Sequence, residues 1–171
     1  MANDRLYRKD VFLGLAYPEA FINPSLPTAA ELNNALYVID LTCALVEDNT
    51  EFTLGDPDTD DTLTFCDEAG SQTRTVDNPT ITFSALRDED RGATGLFNNA
   101  FNHMAFPDIP FYAVERIGYA NTTPFAIGQH VRIVAVKTDQ PVDLLEKGAN
   151  AQIQQNFLPN GLVNWNFKIT A

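Results

Sequence analysis

The chain contains 171 residues, of which 44% are hydrophobic and 20% are charged, and its formal net charge at pH 7 is −12. A chain of this length buries about 70% of its extended surface on folding, which excludes wholesale disorder and makes one well-packed domain the default. No apolar run reaches the roughly 20 residues of a membrane-spanning helix. The excess of acidic residues argues against nucleic-acid binding, which depends on lysine and arginine.

The first 27 residues predict an arm ahead of the folded domain. Their apolar side chains follow no sustained period, and the pairs Asn23-Pro24 and Leu26-Pro27 disfavour regular structure. The short apolar run at residues 11–16 lacks a small-residue cleavage site, so we expect no signal peptide. The domain itself is expected to span residues 28–171.

A short helix and a strand are predicted next. Thr28 and Glu31 have the spacing of a capping box, in which a hydroxyl and a carboxylate satisfy the free amides of a helix start. The helix should end before Tyr37. Residues 36–46 are apolar and β-branched with few polar interruptions, which predicts a strand covered on much of both faces.

An acidic segment follows this strand. Between Glu47 and Glu68 there are nine acidic side chains and no lysine or arginine. The sequence Gly55-Asp56-Pro57-Asp58 marks a turn within it. We expect a long charged loop at about residues 47–79, interrupted at most by a β-bridge near residues 63–66.

The rest of the chain alternates between β-type patterns and one helix. Residues 80–86 predict a strand, and apolar side chains on one face of residues 94–104 predict an amphipathic helix. Residues 110–119 and 125–137 are β-type runs with a short connection, which favours an antiparallel hairpin.

The C-terminal residues show the clearest strand pattern, because apolar and polar side chains alternate strictly from Val163 to Thr170. Asn160-Gly161 predicts a turn that folds this strand back onto residues 151–158. Together these elements predict a mainly β fold, an antiparallel β-sandwich or barrel with one flanking amphipathic helix.

Catalytic motifs are missing from the sequence. It contains no phosphate-binding glycine loop, dinucleotide fingerprint, zinc-protease motif or nucleophile elbow. Cys43 and Cys66 are too few for a disulfide framework, and Cys43 is expected to be an inert thiol buried in its strand. His103 is expected near a helix end and His130 in the middle of a strand, neither with a second ligand at metal spacing.

A calcium loop is the strongest metal hypothesis, and the sequence fits it weakly. Asp56, Asp58 and Asp60 occupy the first, third and fifth places of an EF-hand-like loop. Asp61 stands where a glycine should make the sharp turn, and Asp67 stands where a glutamate should bind with both oxygens. A solvated acidic loop is therefore favoured, and no cofactor is expected.

Four stretches together carry a resemblance to a known family. They are residues 1–9, 27–33 and 39–44, followed by the acidic run at residues 52–67. In this order they resemble the major tail proteins, or tail tube subunits, of long-tailed phages, and the resemblance covers most of the chain.

The resemblance implies a non-enzymatic virion protein with a β-sandwich and a flanking helix, similar in fold to the tube of type VI secretion. It implies subunits assembled in the host cytoplasm as stacked, hexameric rings that form a hollow tail for genome ejection. The implied partners are further copies of the chain and the tape measure, tail tip and tail terminator proteins. Double-stranded DNA would only pass through an acidic lumen, held off by like charge.

Within this interpretation, a basic and an acidic group of residues are expected to lie at contacts between subunits. They are the basic Arg5, Arg8 and Lys9 and the acidic Asp56, Asp58, Asp60 and Asp61.

Three alternatives remain open. The chain could be another phage structural protein, such as a tail terminator or a capsid decoration protein. It could be a calcium-dependent β-sandwich binding module that uses Asp56, Asp58, Asp60 and Asp67. The third alternative is a small hydrolase with an unrecognised carboxylate pair.

Overall fold

The computed structural model describes residues 10–60, 73–90, 92, 94–146 and 149–171. These residues form ten strands, two α-helices and two 3₁₀ turns, at Pro18–Ala20 and Glu47–Asn49. The helices are α1 (Ala29–Leu32) and α2 (Leu96–Met104). The strands are β1 (Val11–Ala16), β2 (Val38–Asp40), β3 (Glu51–Leu54), β4 (Asp58–Asp60), β5 (Thr73–Val76), β6 (Pro79–Leu86), β7 (Pro110–Ile117), β8 (His130–Thr138), β9 (Val142–Leu144) and β10 (Gln152–Lys168).

Eight of the strands form one antiparallel sheet in the order β2-β1-β7-β8-β10-β6-β3, and β9 pairs with β10. The strands β4 and β5 form a separate antiparallel pair. The predicted mainly β class, with an antiparallel sheet and a flanking helix, is confirmed. The predicted strand at residues 80–86 and the hairpin of β7 and β8 are also present, but β8 begins at His130 and not at residue 125. The helix predicted at residues 94–104 begins at Leu96.

Apolar side chains pack on both faces of the sheet. The first core lies on the face that α2 covers, and it contains Leu15, Phe83, Ala100, Met104, Phe111, Val134 and Phe157. The second core lies on the other face, under α1 and the residues that precede it, and it contains Phe12, Phe21, Leu32, Val114, Phe125 and Ile133. Such two-sided burial removes the simple in-and-out alternation from the central strands.

The predicted N-terminal arm is wrong from Val11 onwards. Strand β1 pairs with β2 on one side and β7 on the other, and Leu15 and Ala16 are fully buried. Phe21 is buried in the second core. The short apolar run showed no period because a central strand buried on both faces need not alternate. Residues 1–9 lie outside the described part of the chain.

The predicted strand at residues 36–46 is reduced to the three residues of β2. Asp40 ends it, because its Oδ1 accepts a hydrogen bond from the Thr42 amide at 2.9 Å and turns the backbone. The expectation for Cys43 is therefore wrong as well, since this thiol follows the turn and is exposed. Cys66 lies outside the described residues.

The predicted turn at Asn160-Gly161 is also wrong, because residues 152–168 form one continuous strand, β10. Residues 152–157 of this strand pair with β6, residues 152–154 also pair with β9, and the pairing with β8 runs from Phe157 to Lys168. Gly161 has a φ of 112°, and the register with β8 shifts between Pro159 and Val163. The glycine thus makes a bulge that bends the strand without reversing it.

Candidate functional site

The acidic segment is more ordered than a loop. Residues 51–54 form the edge strand β3, which pairs with β6, and Phe52 is buried in the first core. The prediction of a continuous loop from residue 47 to 79 is therefore wrong for this part. The exposed carboxylates remain on the outer side, because Glu51 points away from the core while Phe52 points into it.

We call the antiparallel pair of β4 and β5, together with residues 55–57 that lead into β4, the acidic ribbon. It continues the hairpin formed by β3 and β6. At its root the Gly55 amide donates to the Asn78 carbonyl oxygen at 2.8 Å. The Asn78 side-chain amide donates to the Asp56 carbonyl oxygen at 3.1 Å and to Asp58 Oδ1 at 3.0 Å. Asn78 therefore holds both strands where the ribbon leaves the main sheet.

The structure brings only some of the predicted site residues together. Asp56 and Asp58 are exposed at the root of the ribbon, and Asp60 ends β4. The carboxylate of Asp58 accepts a hydrogen bond from Asn78, and residues 58–60 form an extended strand. Asp61, Asp67, Arg5, Arg8 and Lys9 lie outside the described residues.

The described residues do not form a metal centre. Among them, no group of three or more histidine, cysteine, aspartate or glutamate side chains is arranged to hold a metal ion. His103 Nδ1 lies 2.7 Å from the Asn99 carbonyl oxygen, and His130 Nδ1 lies 2.6 Å from Asn166 Oδ1. His130 begins strand β8, so its expected place in mid-strand is corrected.

A polar cluster that the sequence analysis missed lies at the end of the sheet where β7 ends and β8 begins. Glu115 on β7 is buried, and its Oε2 accepts a hydrogen bond from Arg132 Nη1 on β8 at 2.5 Å. Burial raises the pKa of Glu115, although the bond and charge of Arg132 act in the opposite direction. The signal in the sequence was a glutamate within an apolar β-run, followed by an arginine in the next run.

Two aromatic side chains extend this cluster. The Arg132 guanidinium carbon lies 5.1 Å from the centroid of the Trp165 ring, and that centroid lies 5.3 Å from the centroid of Phe52. Glu115, Arg132 and Trp165 also line a recess of about 390 Å³. The contact of Trp165 with Phe52 shows that the sheet curls, because β3 pairs only with β6 among the described strands.

A second buried arginine organises the connection between β7 and β8. Arg116 is fully buried, and its Nη2 donates to the carbonyl oxygens of Ala120 and Thr123 at 3.0 and 2.8 Å. Its guanidinium carbon lies 4.2 Å from the ring centroid of Phe125. Burial lowers the pKa of Arg116. Through these hydrogen bonds to backbone carbonyl oxygens, the Arg116 side chain holds the β7–β8 connection against the second core.

In the described part of the chain, β2 and β3 at the two ends of the main sheet each pair on one side only, and so does the short strand β9. Unpaired backbone groups at a sheet edge can pair with another chain. No helix within the described residues is long and apolar enough to cross a membrane.

A curled antiparallel sheet with open edges and a projecting ribbon defines a mainly β protein. The family model for phage tail tube proteins matches residues 4–171 of the sequence. The chain therefore belongs to the phage tail tube protein family, and it is a structural component of the virion tail, which is a multi-subunit assembly. A search of curated proteins finds no match to this chain.

Proposed function

We propose that the chain polymerises as stacked, hexameric rings into a hollow conduit through which the phage genome leaves, and that it has no catalytic role. The acidic ribbon is the observation that carries this proposal. It extends the β3–β6 hairpin beyond the main sheet, and an isolated two-stranded ribbon is marginally stable in water. A surface on a neighbouring subunit would supply the missing packing.

The sheet edges support lateral contact within a ring. Strand β3 has four residues and exposes Glu51 and Thr53, while β2 at the opposite edge has three residues. Short edges of this kind stay free in a monomer yet can extend a sheet when a neighbour is held beside them. Two different edges also suit a head-to-tail ring, in which each subunit uses both.

The charges favour contact between rings and passage of DNA without binding. The ribbon carries Asp56, Asp58 and Asp60, which would meet Arg5, Arg8 and Lys9 of another subunit. Of the described arginine and lysine side chains, Arg87 is paired with Asp143 at 3.0 Å, Arg132 is paired with Glu115 and Arg116 is buried, whereas Lys137 and Lys168 are exposed. Because acidic residues outnumber basic ones by 23 to 11, a wall built from this chain would repel DNA and leave it unbound in the lumen. The tape measure, tail tip and tail terminator proteins are the further partners proposed for such a tube.

Removal of the ribbon tests this function. Deleting residues 56–77 joins Gly55 to Asn78, whose backbones already hydrogen-bond at 2.8 Å, and leaves a two-residue Gly-Asn turn between β3 and β6. We expect the variant to keep the circular dichroism and melting temperature of the monomer and to form no tubes. Tube formation is measured by sedimentation and negative-stain microscopy at high concentration, with tail tips as seeds.

A matched variant separates the charge of the ribbon from its shape. Replacing Asp56, Asp58 and Asp60 by asparagine keeps the ribbon and removes three of its carboxylates. Tubes from this variant with none from the deletion would assign assembly to the ribbon backbone. Normal tubes from the deletion variant, or its collapse as a monomer, would refute the proposed role.

A further inference from the structure

Four side chains form a continuous series from β7 to the root of the acidic ribbon. Glu115 on β7 pairs with Arg132 on β8 at 2.5 Å, and Arg132 lies over the ring of Trp165 on β10 at 5.1 Å. Trp165 packs on Phe52 of β3 at 5.3 Å between ring centroids. Each member comes from a different strand, so the series crosses the curled sheet.

The ion pair is placed where an apolar pair would be expected. Glu115 lies directly opposite Leu13 in the β1–β7 register, and Leu13 packs against the first core. The Glu115 side chain is 9% exposed and that of Arg132 is 31% exposed. Removing such a pair from water costs free energy that its attraction seldom exceeds, so stability alone does not account for it. A rigid, directional contact does, because the carboxylate fixes where the guanidinium lies.

The series ends on the strand that leads into the ribbon. Strand β3 lies at the edge of the sheet, and Phe52 is its buried residue. Trp165 lies in the half of β10 that pairs with β8, so its contact with Phe52 joins β3 to strands with which it shares no backbone pairing in the described sheet. Two residues after Phe52, β3 ends and the ribbon begins.

We propose that Arg132, held by Glu115, is a positioning residue that sets Trp165 against Phe52 and thereby fixes the direction in which the acidic ribbon leaves the domain. The positioning of β3 by Arg132 is a property of the monomer. Its effect on tube assembly rests on the proposed function, in which the acidic ribbon contacts a second copy of this chain.

The single tryptophan of the sequence provides a direct reporter. In the double variant Glu115→Gln/Arg132→Met no buried charge is left alone, and the methionine keeps apolar volume beside Trp165 without the directional contact that the ion pair supplies. We expect acrylamide to quench Trp165 about twofold more strongly, and the β3 amides to exchange hydrogen about tenfold faster, while the global melting transition is kept. Tube formation should then require a several-fold higher subunit concentration.

A control pair with the same chemistry lies elsewhere in the sheet. Arg87 pairs with Asp143 at 3.0 Å and stacks on Phe101 at 3.7 Å, and it follows the end of β6 beyond the residues that pair with β3. The variant Arg87→Met/Asp143→Asn should leave Trp165 quenching, β3 exchange and tube formation unchanged. A second variant, Phe52→Leu, keeps an apolar side chain and should reproduce the faster β3 exchange.

The outcomes separate this inference from the proposed function. Unchanged quenching and β3 exchange in the Glu115/Arg132 variant would overturn the positioning role, as would equal effects from the Arg87/Asp143 control. If the unaltered chain never forms tubes, the proposed function fails, while the two monomer measurements still decide the positioning role.

Discussion

At the scale of single residues, Glu115 combines burial with a charged partner. Burial raises its pKa above that of a glutamate in the unfolded chain, so the folded state keeps its proton to a higher pH than the unfolded state does. The contribution of this group to stability therefore falls as the pH rises from the unfolded pKa through the folded pKa. At pH values below both the folded and the unfolded pKa, the carboxyl is neutral in both states and burying it costs no ionisation free energy.

Glu115→Gln removes this titration. We expect the melting temperature of the variant, relative to the unaltered chain, to rise as the pH is increased from 4 to 7, since only the unaltered chain has a carboxyl to ionise at this position. Calorimetry across this pH range measures the difference. The variant Asp143→Asn, which removes the exposed carboxylate that pairs with Arg87, is the control for the loss of a carboxylate elsewhere in the chain. A difference that falls with rising pH would contradict the raised pKa.

At the scale of elements, the four-residue helix α1 depends on its cap. Thr28 Oγ1 accepts a hydrogen bond from the Glu31 amide at 3.2 Å, and Glu31 Oε2 accepts one from the Thr28 amide at 2.9 Å. The Ala29 amide also donates to the Thr170 carbonyl oxygen at 3.3 Å, so the helix is tied to the C-terminus. We expect Thr28→Ala to reduce the free energy of unfolding by about 1 kcal/mol in urea denaturation, and Thr28→Ser to restore most of it.

The pH dependence of this cap has the opposite sign to that of Glu115. Burial acts to raise the pKa of Glu31, but hydrogen bonds from the Ile22 amide, the Thr28 amide and the Thr28 hydroxyl together hold it below its usual value. The stabilisation is therefore present above the unfolded pKa and is lost as the pH falls through the folded one. The cost of Thr28→Ala should shrink in acid, and an equal cost at pH 7 and pH 3 would contradict this account.

At the scale of the whole molecule, the net charge of −12 governs association. Contacts between the acidic ribbon and the basic residues near the N-terminus would each contribute about 0–1 kcal/mol when exposed, and a ring would repeat them. We expect tube formation, followed by light scattering, to weaken as salt is raised. The variant with asparagine at positions 56, 58 and 60 should lose much of this dependence.

The same charge predicts no affinity for nucleic acid. Duplex DNA should show no salt-dependent binding to the subunit in fluorescence anisotropy, because phosphate binding requires an excess of lysine and arginine and the chain has 23 acidic residues against 11 basic ones. A tight, salt-sensitive complex would contradict both the charge argument and the proposed lumen.

Local signals in the sequence were sufficient for several elements. The capping box located α1, the apolar face of residues 94–104 located α2, and two β-runs joined by a connection without regular structure predicted the β7–β8 hairpin. These elements are specified by neighbours within a few residues, where propensity and periodicity act. The mainly β class follows from their sum.

Only the tertiary structure decided the elements whose partners are distant in the chain. Val11 to Ala16 became a central strand because β2 and β7 cover both of its edges, and Asn160-Gly161 became a bulge because β8 pairs with β10 on both sides of it. The series from Glu115 to Phe52 joins four strands and could not be predicted from spacing. Burial on both faces removes the alternation of apolar and polar residues by which a strand is recognised. A glycine with positive φ occurs in a bulge as well as in a turn, so the pairing with distant strands determines which of the two forms.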